Sequence, residues 1–393
     1  MEMFRRTYAD INLENLIFNW NQIKKIAADD RFICPMIKAN AYGHGDVQIG
    51  KTLEKEGANV LGVCLIEEGL LLRASGIKTD ILVFRGFDKR GAEKIMEYQL
   101  TPVVSSWQQI QHLEAVADEP MKIHLKFNTG MSRLGFAPSE AEKLRQYFSN
   151  SKKLKLKAVL THFTSGEDAA SALGQSARQT QVFSQVFDYF KDMDVYAHLL
   201  NTGGIVGLAQ LQSGPQIENP NKLLLQQKWG FRPGLMLYGY TGNELQGPAE
   251  FRAVMSLKSV VNNMRRLEVG DSVSYGSTWV AQRPSYIAVV PIGYADGIHR
   301  LVSNRGYALL NGERVPIVGR VCMDFLMLDA TDVVEKTTPE QWVEEEVILF
   351  GYDDKNNFLS ATEQALHTNT IVWETLTSVG ERVPRHFRGL KKT

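Results

Sequence analysis

Lys38 ends the apolar run Pro35-Met36-Ile37 and opens a small, glycine-punctuated stretch, Ala39-Asn40-Ala41-Tyr42-Gly43-His44-Gly45. A lone amine held against apolar neighbours is nucleophilic toward an aldehyde and can form a Schiff base. The same residue also reads as a solvated lysine capping a strand. Other polar groups fall where further apolar runs end: Arg133, His162, Asn201, Thr202 and Arg232. Singly, His162 reads as a satisfied core histidine, Arg133 as a surface ion-pair member and Asn201 as a turn former. Together they read as one site, because groups at the same end of successive parallel strands share a face.

Thr202-Gly203-Gly204 offers a hydroxyl and unhindered amides ahead of a helix expected from Ile205. That is the make-up of an anion nest, although a plain turn fits the same residues. Neither G-x-G-x-x-G in the required setting nor G-x-x-x-x-G-K-[ST] occurs, so a single phosphate suits the site better than a nucleotide. Further along, Ser274-Tyr275-Gly276-Ser277 and Pro291-Ile292-Gly293-Tyr294-Ala295-Asp296-Gly297 set tyrosines beside glycines. Such a tyrosine can project from a strand end, or simply pack with its hydroxyl at the rim of a β domain.

The elements that must position these groups follow from periodicity. Apolar runs at 32–38, 60–65, 80–84, 101–104, 122–127, 157–162, 195–200 and 228–232 alternate with amphipathic stretches at 46–56, 67–74, 106–116, 138–147 and 175–191. Strand and helix in alternation, with about eight strands, predict a closed (β/α)₈ barrel, with a doubly wound sheet as the alternative. Pro138-Ser139-Glu140 supplies a helix start. After residue 240 the pattern changes to strands at 251–261, 271–275, 286–291, 306–321 and 346–350 without regular helices between them, which predicts a separate β-rich domain. Asn311-Gly312 is a type I′ hairpin signal, and Val269-Gly270-Asp271 a turn. A terminal helix is expected over 360–378, with Ser360 as N-cap and Glu363 in a capping box. The stretch 164–175, rich in Ser, Ala and Gly, is expected to be a mobile loop at one barrel mouth.

The chain has 393 residues, enough for one large and one smaller domain. Lys plus Arg equals Asp plus Glu at 44 each, so no basic field favours nucleic acid and the expected partner is a small molecule. Three cysteines, Cys34, Cys64 and Cys322, are odd in number and lack metal-ligand spacing, which excludes a cysteine metal site and suits a reducing compartment. Asn15, Asn19 and Asn21 interrupt any signal-peptide core, and no apolar run reaches the roughly 20 residues that span a bilayer. The expectation is a cytoplasmic protein that binds neither nucleic acid nor membrane.

Over essentially its whole length the sequence resembles the alanine racemases, fold-type III pyridoxal-phosphate enzymes. The resemblance rests on the ordered series Lys38 to Gly45, Asn128-Thr129-Gly130-Met131-Ser132-Arg133-Leu134-Gly135, Thr161-His162-Phe163, Arg232-Pro233-Gly234 with Leu237-Tyr238-Gly239, Ser274-Tyr275-Gly276, Pro291 to Gly297, and Gly319-Arg320-Val321-Cys322-Met323-Asp324. It implies a TIM-like barrel over 1–240 that binds pyridoxal 5'-phosphate, a mostly-β domain over 241–393, and a homodimer with active sites shared between subunits. The implied reaction interconverts L- and D-alanine and supplies D-alanine for peptidoglycan.

Residue by residue, the resemblance implies that Lys38 is the Schiff-base lysine and one acid/base, and that Tyr275, from the neighbouring subunit, is the other. Removing a proton from one face of the α-carbon and returning it on the other explains inversion better with two groups than with one. Arg232 is similar to the arginine facing the pyridine nitrogen, where a cation discourages ring protonation, weakens the electron sink and restrains side reactions; His162 would support it. Arg133 resembles the arginine near the cofactor's phenolic oxygen and the substrate carboxylate. Lys126 matches a lysine carbamylated in some members, a change that converts a like-charge clash into an ion pair. Tyr42, Thr202 and the amides of Gly234 and Leu235 align with the phosphate cradle, and Asn201 is a further cofactor-binding residue. The amide of Met323 would hold the substrate carboxylate, and Tyr294 would narrow the entrance from the partner subunit, favouring alanine over bulkier amino acids. No metal is implied.

The sequence departs from the family pattern at three places. Asn201-Thr202-Gly203-Gly204 replaces the commoner Asn-Ser-Ala-Ala, Glu381 stands where some members carry a phosphate-binding tyrosine, and the stretch 164–175 is atypical. Two rival readings remain open. One is a racemase of serine or broader specificity, or a related decarboxylase, though a decarboxylase would be expected to carry a carboxylate where Arg232 stands. The other is a non-catalytic pyridoxal-phosphate-binding protein, for which the Lys38 segment would suffice.

Overall fold

Parallel strands need crossovers of a dozen or more residues, and the amphipathic stretches between the apolar runs supply them. The computed structural model describes residues 5–28, 31–213, 217, 219–242, 250–334 and 339–389. Strands Val60–Val63, Asp80–Val83, Thr101–Val104, Met121–Lys126, Leu154–Leu160, Tyr196–Leu200 and Gly230–Phe231 pair in chain order, each parallel to the next. Helices Ile66–Ala74, Lys89–Glu97, Trp107–Val116, Ala141–Asn150 and Gln175–Asp188 fall between them. Two of them start on side-chain caps: Asp88 accepts from the Gly91 amide at 2.8 Å and Ser106 from Gln109 at 3.4 Å.

The segment expected as the first strand closes the barrel without forming a continuous strand. Ile33 bridges Phe231 on one side and Met36 bridges Gly62 on the other. The Cys34 and Met36 amides donate to Phe231 and Pro233, while Ile37 donates to Gly62 and Gly62 to Pro35. Pro35 has no N–H to give, which is why pairing is reduced to isolated bridges. The closure still leaves Lys38 at the C-terminal mouth, beside the ends of the other strands.

The other unit comprises the described residues of Met1–Leu16, Tyr42–Gly45 and Arg252–Thr393, the barrel unit those of Ile17–Ala41 and Asp46–Phe251. The described residues up to Leu16 and Tyr42–Gly45 thus group with the β-rich strands, and the barrel unit runs on to Phe251. Strand Tyr8–Asn12 lies inside the second unit's sheet, antiparallel to Met255–Val260 and parallel to Arg385–Arg388. Both edges of that short strand are satisfied there, and Arg388 Nε donates to the Asp10 carboxylate at 2.8 Å. The same sheet continues through Glu346–Tyr352, Tyr307–Leu310 and Glu313–Pro316. Asn311 and Gly312 turn the last hairpin at φ 51° and 81°, as the type I′ signal predicts. A smaller sheet joins Asn263–Leu267, Ser285–Val290 and Leu326–Asp329.

The single terminal helix expected over 360–378 is instead two, Ala361–His367 and Val372–Thr377. Asn369 at φ 55° breaks it. Ser360 does cap, accepting from Thr362 at 3.1 Å, but Glu363 turns away from any capping box to pair with Arg314 and His367. No helix among the described residues is long and apolar enough to cross a membrane.

The stretch 164–175 is more firmly seated than its composition suggests. Asp168 accepts from the Gln175 and Ser176 amides at 2.7 and 3.1 Å, and Asn221 donates through its side chain to Ala169 at 3.1 Å. Gln179 accepts from Thr164 and donates to the His162 carbonyl, both at 2.9 Å. The 3₁₀ turn Gly166–Asp168 lies against helix Thr202–Ser213 so closely that a Cβ on Gly203 would sit 2.6–2.9 Å from three backbone atoms of Gly166. Two of the sequence's departures from the family pattern thus meet in space, and the glycine at 203 is what lets this loop sit down. Gly203→Ala should cost about 1–3 kcal/mol in urea unfolding and open residues 164–175 to proteolysis. An unchanged unfolding midpoint with unchanged cleavage would show that the loop does not depend on this contact.

Candidate active site

Ala39, Asn40, Ala41 and Tyr42 follow Lys38 at φ 52–53°, a left-handed turn built from four residues that are not glycine. Each such residue costs about 1–2 kcal/mol relative to a right-handed turn. Hydrogen bonds offset the strain. The Glu68 carboxylate accepts from the Ala39, Cys64 and Leu65 amides at 2.7, 2.7 and 2.9 Å. Asn40 Oδ1 accepts from the Asp46 amide at 3.0 Å, and the Ala41 amide reaches Ile37 O at 2.9 Å. Strain held this way by surrounding structure is characteristic of functional loops. The Lys38 amine that precedes it is half-buried and forms no hydrogen bond or ion pair among the described residues.

Strand Met121–Lys126 ends on Lys126, which is buried. Burial, then the charges of Arg232, Arg133 and Lys38, lower its pKa to about 8. Arg133 rides on an excursion over 128–135 whose neck is the Phe127–Phe136 bridge. Asn128 Oδ1 shapes the excursion by accepting from Gly130 and Ser132 at 3.2 and 2.8 Å, and Arg133 at its tip is exposed. Four cations thus share one strand-end region, and none of them has a carboxylate partner among the described residues. Such a set calls for an anionic ligand.

Arg232 is the most buried of the four, at 4% exposure. Its Nη1 donates to His198 Nδ1 at 2.8 Å and to His198 O at 2.7 Å. Its Nη2 donates to Thr161 O at 2.6 Å, with His162 Nδ1 and Leu199 O each 3.3 Å away. Nε alone has no acceptor among the described residues. Burial pulls the guanidinium pKa down to about 10, which leaves it charged at neutral pH. Burial first, and then Arg232, drive the pKa of His162 well below the usual range, so this imidazole is a neutral acceptor.

Helix Thr202–Ser213 starts opposite the Gly234 turn. Thr202 Oγ1 lies 3.4 Å from the amides of both Gly234 and Met236. Asn201 Oδ1 accepts from Gly204 at 3.0 Å, so its side chain serves as the helix N-cap. The Gly203 and Leu235 amides take no acceptor among the described residues, and free amides at a helix start suit an anion. Lys38, Lys126, Arg133, His162, Asn201, Thr202, Arg232, Gly234 and Leu235 therefore gather in the barrel unit.

Tyr42, Tyr275, Tyr294 and Met323 belong to the other unit. Tyr42 is buried there. Tyr275 is 71% exposed and follows Ser274, whose hydroxyl donates to Arg320 O at 2.6 Å. The Tyr294 amide donates to Cys322 O at 3.0 Å and Ala295 to Met323 O at 3.0 Å, so the tyrosine turn and the Met323 loop are stitched together. Gly293 permits this, since a Cβ there would lie 2.4 Å from Met323 O. Asp296, fully buried, braces the turn by accepting from the Gly293 amide at 3.0 Å and from Arg5 at 2.6 Å. Glu381 is exposed.

Glu68, His124, His198 and Tyr196 also bear on the site, and none of them ends an apolar run in the sequence. His124 and Lys126 share one face of their strand, as do Tyr196 and His198 of theirs. That two-residue alternation of polar groups inside apolar strands was the available signal.

A family model described as "Alanine racemase, N-terminal domain" matches residues 11–242, and one described as "Alanine racemase, C-terminal domain" matches 254–387. The alanine racemase of Thermodesulfovibrio yellowstonii is 34% identical over 98% of this chain and 98% of its own. Among solved structures, the Clostridium difficile alanine racemase superposes with a TM-score of 0.83 at 29% identity, covering 98% of this chain and 97% of that one. The Bartonella henselae alanine racemase, solved with covalently bound pyridoxal phosphate, gives a TM-score of 0.81 at 28% identity over 98% of this chain and 99% of that one. Two domain models matched in order and a full-length relative above 30% identity place the chain in the alanine racemase family.

Proposed function

We propose that this protein interconverts L- and D-alanine with pyridoxal phosphate, using Lys38 and Tyr275 as bases on opposite faces of the α-carbon. The observation that carries the reading is the set of four cations, Lys38, Lys126, Arg133 and Arg232, gathered at the strand ends without an anion among the described residues. The donors fit the cofactor: a half-buried amine without a partner, free amides at Gly203 and Leu235, and one open guanidinium N–H. Lys38 would hold the aldehyde carbon. Thr202 and the amides at Gly234 and Leu235 would hold the phosphate, with Asn201 capping the helix that presents them. Arg232 would offer Nε–H at the ring nitrogen, and Arg133 would meet the phenolic oxygen and the substrate carboxylate.

Bound pyridoxal phosphate withdraws electrons from the α-carbon and so acidifies its hydrogen. Arg232 keeps its own proton, since even after burial its pKa of about 10 lies well above neutrality. It therefore orients the ring without protonating it, which limits charge build-up and side reactions. One base accepts the α-hydrogen while the other delivers a proton to the opposite face. Lys38 and Tyr275 exchange protonation states in one direction of turnover and regain them in the other. Met323, through its amide, and Tyr294 would confine the substrate side chain to about the size of a methyl group.

The exposure of Tyr275 supports a homodimer in which each β-rich unit completes its partner's barrel site. Tyr275 borders a cavity of about 620 Å³ lined by Leu267, Ile287, Val289, Met323 and Phe325, an apolar surface that suits burial against a second chain.

In deuterated water both alanine enantiomers should exchange their α-hydrogen, and Tyr275→Phe should slow exchange from the L form by about 100-fold or more while sparing the D form. Equal slowing of both would sink the two-base assignment. A panel of alanine, serine and lysine should show inversion of alanine foremost; faster inversion of serine or lysine would point to the broader racemase. Mixing Lys38→Ala with Tyr275→Phe chains should produce activity that neither variant has alone, and a mixture no better than its components would mean that sites are not shared. An amine with a pKa of about 8 is largely free just above that pH and can add carbon dioxide, so we expect Lys126 to be carbamylated. Intact-mass spectra taken in bicarbonate should show one added CO₂ that Lys126→Gln abolishes; an unmodified wild-type chain would rule this out.

A further inference from the structure

Behind Arg232 a row of side chains runs down the barrel interior to its opposite mouth. His198 Nδ1 meets Arg232 Nη1 at 2.8 Å, His198 Nε2 meets His124 Nδ1 at 3.0 Å, and His124 Nε2 meets the Tyr196 hydroxyl at 3.1 Å. Both histidines are buried, with 0% and 2% exposure for His198 and His124. The direction of every proton in the row is forced. A guanidinium can only donate, so His198 Nδ1 must accept, and a neutral imidazole then carries its single hydrogen on Nε2. That hydrogen goes to His124 Nδ1, which sets His124 as Nε2–H and makes the Tyr196 oxygen an acceptor. The Tyr196 hydrogen is left to point into a cavity of about 510 Å³ lined at the strands' N-terminal ends by Arg31, Asp80, Lys122 and Lys157.

We infer that Tyr196, His124 and His198 form a directed hydrogen-bond relay that positions Arg232 for the cofactor's ring nitrogen and solvates its charge in place of a carboxylate. All the dipoles in the row present their negative ends toward the guanidinium, and aligned hydrogen bonds in a low-dielectric interior reinforce one another. Burial and the neighbouring Arg232 charge both push the histidines far below their ordinary range, which keeps the row neutral. If His124 lost its acceptor nitrogen, the His198 Nε2–H would be orphaned. The imidazole could then take its other tautomer, setting an N–H against the guanidinium and displacing it. These three are positioning residues, since none need touch the substrate. The inference rests on the reading above that Arg232 faces the cofactor.

The relay is tested first without any substitution or cofactor. Nitrogen-15 NMR of histidine-labelled protein stripped of pyridoxal phosphate should show His124 and His198 as neutral Nε2–H tautomers at neutral pH. A protonated ring, or an Nδ1–H tautomer at either position, overturns the relay. His124→Gln and His124→Leu then separate positioning from packing, because glutamine can accept at one end of its amide and donate at the other, while leucine can only fill space. Pyridoxal phosphate affinity, read by quenching of protein fluorescence, should stay within about threefold of wild type for Gln and weaken by roughly tenfold or more for Leu. The reverse order, or equal losses, would mean that His124 merely packs. Arg232→Gln distinguishes the two layers of argument. If it leaves the pH dependence of the bound cofactor's absorbance untouched, Arg232 does not face the ring and the underlying reading fails; if it shifts that dependence while Gln and Leu at 124 behave alike, only the relay fails.

Discussion

Arg232 carries its charge into the interior of the barrel, where an unpaired ion costs several kcal/mol, and among the described residues no carboxylate meets it there. The charge is solvated by neutral groups: carbonyls of Thr161, His198 and Leu199, and imidazole nitrogens of His198 and His162. Much of the barrel unit answers to that requirement. Carbonyls are available because the strands end beside the guanidinium, and both histidines must stay unprotonated because a second cation against Arg232 would be expelled. Interior positions that a barrel of this type fills with aliphatic side chains are here given to His124, His198 and Phe32, whose rings pack with centroids 4.9–6.0 Å apart.

The remaining cations sharpen the same constraint. Lys126 feels Arg232, Arg133 and Lys38 at once, and its lowered pKa expresses their mutual repulsion. The unit on its own is therefore electrostatically unfinished, and a ligand carrying a phosphate and a phenolate would complete it. Binding of such a ligand to the folded state alone also stabilises that state by mass action. Cofactor retention and fold stability are expected to rise and fall together in this protein.

The barrel was legible in the sequence because its strands are buried runs bounded by polar residues, and a polar residue at a strand's C-terminal end is conspicuous. Lys38, His162 and Arg232 stood out on that basis. What lay inside a strand did not: His124 and His198 interrupt apolar runs without ending them. Strands Tyr8–Asn12 and Asn263–Leu267 were missed for different reasons. The first finds its partners some 250 and 375 residues away, and the second is largely exposed and polar, so no apolar alternation marks it. The capping box at Ser360 failed because Glu363 has a better partner in Arg314, from a distant hairpin. Nothing local announced the left-handed turn after Lys38, since Ala, Asn, Ala and Tyr carry no glycine, and the Glu68 that braces it comes from a later helix. The roles expected of Tyr275 and Tyr294 rested on family resemblance alone, as their own neighbourhoods fit ordinary β-domain packing equally well.

The contact between Gly166 and Gly203 couples what can stand at these two positions. A Cβ at 203 would press into the Gly166 backbone, and one at 166 into the Asn201 side chain, so a side chain at either glycine requires the facing segment to shift. Alanine at 203 is therefore compatible with this loop only after the loop's backbone has moved away from the helix start. Positions 166 and 203 are thus expected to constrain each other, so that a single methyl group at the start of helix Thr202–Ser213 limits the paths open to the loop at the barrel mouth.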